Sequence, residues 1–222
     1  MGLDSSRYEA ALRFLFDRPV PQGQEQEWYW EFDEPEFEAT PLEWTRIQTV
    51  LFANAGRDLA RYGDEQVGMG LNYVMSNMVS NVPFAATDAS VPLDEAMRMM
   101  DAMPLLWRDC FGARLKGVNA PIGSATGRLA YACYMWFDVW PTFRLQADVT
   151  EWQVAIVNVF RAMLEMPCRE VQVAALHGIG HNIGDEGRAL MEQLVDDFLQ
   201  RLDPRDEELR NYARAARAGE VQ

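Results

Sequence analysis

His177 and His181 are the only histidines of the chain, four residues apart in the run REVQVAALHGIGH. On an α-helix that spacing puts both imidazoles on one face, where two neutral rings can bind zinc with Asp185 or Glu186 as third ligand. A metal-dependent hydrolase built on this pair is one reading. It lacks a base, because Gly178 stands where the H-E-x-x-H motif carries glutamate, and spacing alone fixes no third ligand. The preferred reading is structural: His177 packs within a helix pair, and His181 lies at the negative end of its helix, where a cation is stabilised. Neither a metal nor another cofactor is expected.

Other constellations with chemistry are weaker. The phosphate-binding pattern G-x-x-x-x-G-K-S/T and the nucleophile pattern G-x-S-x-G are absent from the sequence, and Gly178-Ile179-Gly180 has no strand before it to form a dinucleotide loop. A cysteine nucleophile would need one of the two histidines brought to it by the fold. The twelve methionines fit core filling better than an adaptable groove.

A different kind of site is suggested by QEQEWYWEFDEPEFE, residues 24–38, which holds seven acids, five aromatics and no base. No Lys or Arg occurs from Pro19 to Thr45, against eight acids. As a long connection, the segment would pin Trp28, Trp30 and Phe32 over the bundle and turn its carboxylates to water. As a docking surface, the rings would anchor a basic partner that Glu31, Asp33, Glu34 and Glu36 attract. Glu192, Asp196 and Asp197 form a second acidic face, opposite Leu194, Val195 and Phe198, and are the alternative surface.

Composition narrows the classes. Thirty-four acids against twenty bases leave a net charge of −14, which disfavours direct binding to a nucleic-acid backbone and favours a basic protein surface. With 49% hydrophobic residues among 222, the chain can bury a sizeable core. Cys110, Cys133 and Cys168 are odd in number and lie in apolar surroundings, as buried thiols do in a reducing cytosol. The N-terminus has charges where a signal peptide needs an apolar core, and the longest apolar run, Leu129 to Phe137, is nine residues, too short to span a bilayer. A cytoplasmic location without membrane attachment is the expectation.

The elements that would position these residues are helical throughout. Ser6-x-x-Glu9 is a capping box for a first helix, and Thr40-Pro41-Leu42-Glu43 opens a second that stops near Gly63. Asp64 can cap a third through about Met78, in which Gly68 and Gly70 imply close approach of another backbone. Val82 to Pro92 reads as a break, and two short helices should follow on either side of Pro104. Lys116 to Ser124 is a loop, Leu129 to Trp140 a buried central helix, and Thr150-x-x-Gln153 the cap of a sixth. Arg169 to His181 should end at Gly184, with Arg188 to Arg201 as its antiparallel partner and a last helix opened by Asp203-Pro204-x-Asp206.

In Val171, Ala174, Ala175, Leu176 and Gly178 the chain resembles the first helix of a HEAT-like repeat, over about residues 165–202. That resemblance implies paired helices stacked on their neighbours, with an extended protein-binding surface. The expectation is an all-α chain, a multi-helix bundle or short α-solenoid, forming one domain over 1–222 with a possible division into 1–82 and 93–222. In its acidity, size and lack of a catalytic motif it resembles an immunity protein that neutralises a toxin. A non-inhibitory helical scaffold is a further alternative.

Overall fold

Nine α-helices make up most of the regular structure among the described residues, and no strand occurs there. They are α1 (Ser5–Phe16), α2 (Pro41–Asp58), α3 (Asp64–Met75), α4 (Leu93–Leu106), α5 (Arg128–Val139), α6 (Thr150–Glu165), α7 (Arg169–Asn182), α8 (Arg188–Arg201) and α9 (Glu207–Ala218). The computed structural model describes residues 2–23, 25–31, 37–118, 120–141, 149–182 and 187–221. None of its helices is long and apolar enough to cross a membrane.

Local signals explain most helix ends. Thr40 and Glu43 form the reciprocal capping box on α2, with Pro41 at the first helical position. Asp206 caps α9 by accepting from the Leu209 amide at 3.1 Å. At α1 the cap lies earlier than the Ser6 box implies: Asp4 accepts from the Ser6 amide at 2.8 Å and the Arg7 amide at 3.2 Å. A carboxylate suits the positive end of a helix better than a hydroxyl does. Thr150 begins α6 without acting as its cap. The third helix ends at Met75, short of Met78.

Pro104 does not divide its segment into two helices. α4 runs through it and widens at once into a π turn, Trp107–Gly112. Losing one backbone bond to proline costs about 3 kcal/mol. Trp107, Cys110 and Phe111 are fully buried in that turn, and each large apolar side chain returns about 1.5–3 kcal/mol.

Alternate helices pack into two rows. α1, α3, α5, α7 and α9 contact one another in succession, as do α2, α4, α6 and α8. The rows are joined by α6 on α7 and α8 on α9. This differs from the pairing expected for the tail, where α8 was to lie along α7. The main contacts of α8 are with α6 and α9, so the helix pairs are shifted by one element. Leu176 and Phe198 are both buried, in the one hydrophobic core that runs through both rows.

Glycines set the spacing within the odd row. A Cβ at Gly68 would fall 2.3–2.4 Å from the backbone of Arg128 and Leu129, and one at Gly70 would strike the Phe16 ring. The close approach anticipated for these two is therefore real. Gly178 does the same for α7 on α5: its Cβ would lie 2.7–2.8 Å from Phe137. Gly178→Ala should destabilise the protein by about 1–3 kcal/mol, the usual cost of overpacking a tight core. For a chain of this size that corresponds to a Tm lower by roughly 2–12 °C. An unchanged Tm in thermal unfolding followed by circular dichroism would show that α5 and α7 can separate freely.

Candidate functional site

The two histidines meet a carboxylate that their own helix does not supply. Asp138, near the end of α5, lies beside Phe137, the residue against which Gly178 packs. Its Oδ2 is 3.1 Å from His177 Nε2 and its Oδ1 is 3.4 Å from His181 Nε2. Each oxygen of one carboxylate thus addresses a different imidazole. The donor atoms of the three residues all lie within 4.8 Å of one another. Asp185 and Glu186, the third ligands suggested by proximity in sequence, lie outside the described residues.

The opposite side of His177 is held by tyrosines. His177 Nδ1 is 2.7 Å from Tyr212 Oη on α9, and Tyr212 Oη is 3.1 Å from Tyr134 Oη on α5. The Tyr134 ring stacks on the imidazole with centroids 4.1 Å apart. Burial, aided by the hydrogen bond with Tyr134, raises the Tyr212 phenol far above its ordinary pKa, so it stays protonated. Gly180 lets α9 approach, since a Cβ there would meet Val221 at 2.5 Å and the Ala216 backbone at 3.2 Å. His177 is 1% exposed. The side chain of His181 is 32% exposed and that of Asp138 19%, so the cluster opens toward solvent on the His181 side.

The thiols are poor nucleophiles. Burial pushes Cys110 up to about 12, Cys133 well above its usual value and Cys168 upward as well. All three are unbridged and buried.

The aromatic segment divides into a pin and an exposed ring. Trp28–Trp30 forms a 3-10 turn in which Trp28 is 5% exposed. Its ring stacks on Tyr73 and meets Phe14 edge-on, each at 5.0 Å, under the Arg18 guanidinium at 4.4 Å. Asn72 donates to the Tyr29 hydroxyl at 3.0 Å. Arg128 bonds Glu27 at 3.1 Å and Glu65 at 2.8 Å, tying the turn to α3 and α5. Trp30 is left 44% exposed, followed by the exposed Glu31. Beside it opens a cleft of about 340 Å³ lined by Glu27, Tyr29, Trp30, Arg128 and Tyr131. Asp33, Glu34 and Glu36 lie outside the described residues.

The second acidic face is largely matched by bases of its own molecule. Arg217 on α9 reaches Asp196 at 2.8 Å and Glu192 at 3.5 Å, and Arg188 lies 3.6 Å from Glu192. Asp197 accepts from Gln193 at 2.7 Å. Glu192 and Asp196 therefore join α8 to α9. Sequence spacing missed Asp138 and Tyr212, which come from helices 39 and 35 residues away from His177. The signals were present: Asp138 is the one polar residue in the apolar run from Leu129 to Trp140, and Tyr212 interrupts a run of charged residues and alanines.

Comparison with protein-family models, curated protein sequences and solved structures found no match to this chain. Trp28→Ala should cost about 3–5 kcal/mol, as removal of a buried aromatic does, whereas Trp30→Ala should stay within about 1 kcal/mol, as at a largely exposed position. Chemical denaturation of the two variants checks this. Equal losses would mean that both rings are internal pins.

Proposed function

We propose that the chain is an acidic protein-binding module that occludes a partner bearing a basic surface, as an immunity protein does when it blocks a toxin. The observation that supports this reading is Trp30, a large ring held exposed by a turn whose other two aromatics are locked into the fold. A pre-ordered aromatic loses little conformational freedom on binding, and tryptophan is among the commonest interface anchors. Glu31 is exposed next to it, and the base-free stretch from Pro19 to Thr45 continues around it.

The mechanism divides between rate and lifetime. A net charge of −14 draws a basic surface in and speeds encounter. Trp30 then fills an apolar recess of the partner, while a partner side chain enters the cleft beside Tyr131. The proposed contacts are Trp30, Glu31, Asp33, Glu34 and Glu36. Trp28 supports the turn from within and is no contact. Glu192 and Asp196 are weaker candidates because their charge is already matched, which leaves Asp197 as the more exposed acid of the second face.

The test uses the product of an adjacent gene as partner, with association and dissociation measured at several salt concentrations. Replacing Glu31, Asp33, Glu34 and Glu36 by their amides should slow association and flatten its salt dependence. Trp30→Ala should speed dissociation by at least about tenfold, the scale of an interface anchor. A partner that binds both variants with unaltered kinetics would remove this surface from the interface.

A further inference from the structure

We infer that Asp138, His177 and His181 form a binding site for one divalent first-row transition ion of the zinc class. This goes beyond the protein-binding reading and does not depend on it. Two donors each about 2.0–2.2 Å from a tetrahedral zinc ion are about 3.3–3.6 Å apart. His177 Nε2 lies 3.1 Å from Asp138 Oδ2 and His181 Nε2 lies 3.4 Å from Oδ1, so each ring already reaches the carboxylate at about that edge length, each through a different oxygen. One donor atom from each residue lies within 4.8 Å of the other two, so the set has to contract and present a single carboxylate oxygen to hold an ion.

The donor set selects the ligand. Two imidazole nitrogens and one carboxylate oxygen suit zinc, iron(II), cobalt(II) or nickel(II), whereas calcium and magnesium take oxygen donors. Helices α5 and α7 bring the donors together, and the Gly178 contact on Phe137 fixes their separation. The glycine that takes the place of a catalytic base in the sequence motif is thus what lets the third ligand arrive from the neighbouring helix.

An outer layer is also in place. When Nε2 of His177 ligates an ion, its ring proton resides on Nδ1, where Tyr212 Oη accepts it at 2.7 Å. Tyr212 then donates its own proton to Tyr134 Oη, 3.1 Å away. Such a hydrogen bond fixes the tautomer and ring orientation of a ligating histidine. Three protein donors leave a coordination position for water, and the exposure of His181 places it on the solvent side. His177 is the sealed end of the site and His181 the entrance.

The experiment uses full-length protein without a histidine tag. Zinc is added to apo protein, and affinity and stoichiometry are measured by calorimetry and by competition with a chromophoric chelator, together with the visible spectrum of the cobalt(II) form. One equivalent should bind, and cobalt should show the intense bands of a four- or five-coordinate ion. His181→Ala removes an exposed side chain and should keep the helical circular dichroism while weakening zinc binding at least about tenfold; Asp138→Asn should do likewise. Tyr212→Phe leaves all three ligands and should weaken binding by roughly 10–100-fold, as loss of an outer-shell partner does. No stoichiometric zinc in the wild-type protein, or undiminished binding in the His181 and Asp138 variants, overturns the site. If those variants fail to fold, a wild-type cobalt spectrum identical to that of the hydrated ion overturns it equally.

Discussion

The close packing of α7 against α5 is the contact on which the rest depends. α7 carries His177, Gly178 and Gly180 in one turn, so a single stretch supplies a polar ring and the space that lets neighbours reach it. Glycine inside a helix costs about 1 kcal/mol relative to alanine, and two in three residues would weaken an isolated helix. Here the loss is offset by packing: α5 presses on one side through Phe137, and α9 on another through Ala216, together with Val221 just beyond its end. The same closeness leaves His177 almost without solvent, so both of its nitrogens need partners, and Asp138 and Tyr212 supply them.

Charge is distributed by a related logic. Many arginines bridge elements: Arg128 holds Glu27 and Glu65, Arg46 holds Glu95, Arg169 holds Asp206 and Glu208, and Arg217 holds Glu192 and Asp196. Such part-exposed pairs each add little stability. Their larger effect is to use the scarce bases in joining helices, which leaves surplus carboxylate on stretches with no base. The turn at Trp28 shows how such a stretch is retained. An aromatic stack and one arginine clamp hold it, while its acidic continuation carries the excess charge.

The helices were legible because apolar periodicity and caps act within a few residues. The Thr40 box and the buried run in α5 each record a local requirement, while the paired glycines of α3 announce a close neighbour without naming it. The partners of each helix were harder to read. Arg188 to Arg201 has the right stripe to pack on something, but a stripe does not name its neighbour, and α8 lies on α6 and α9. The two-row arrangement follows from long-range contacts that no short window contains. For the same reason Asp138 falls outside any short window around His181, and Trp28 and Trp30 look alike in sequence although, of the two, only Trp28 lies beside Tyr73 and Phe14.

Two of the thiols flank the α5–α7 contact. Cys133 lies on α5 with its sulfur 3.7 Å from the Glu170 carbonyl, and Cys168 immediately precedes α7. Only the thiolate reacts readily, and burial withholds both that charge and access by a reagent. In the closed molecule burial slows the reaction of both sulfurs, and a reagent reaches Cys133, the more enclosed of the two, when the helices part. The chain thus carries a native readout of local opening, in which the labelling rate of Cys133 reports how often this contact breathes, with no dye or added probe on the surface.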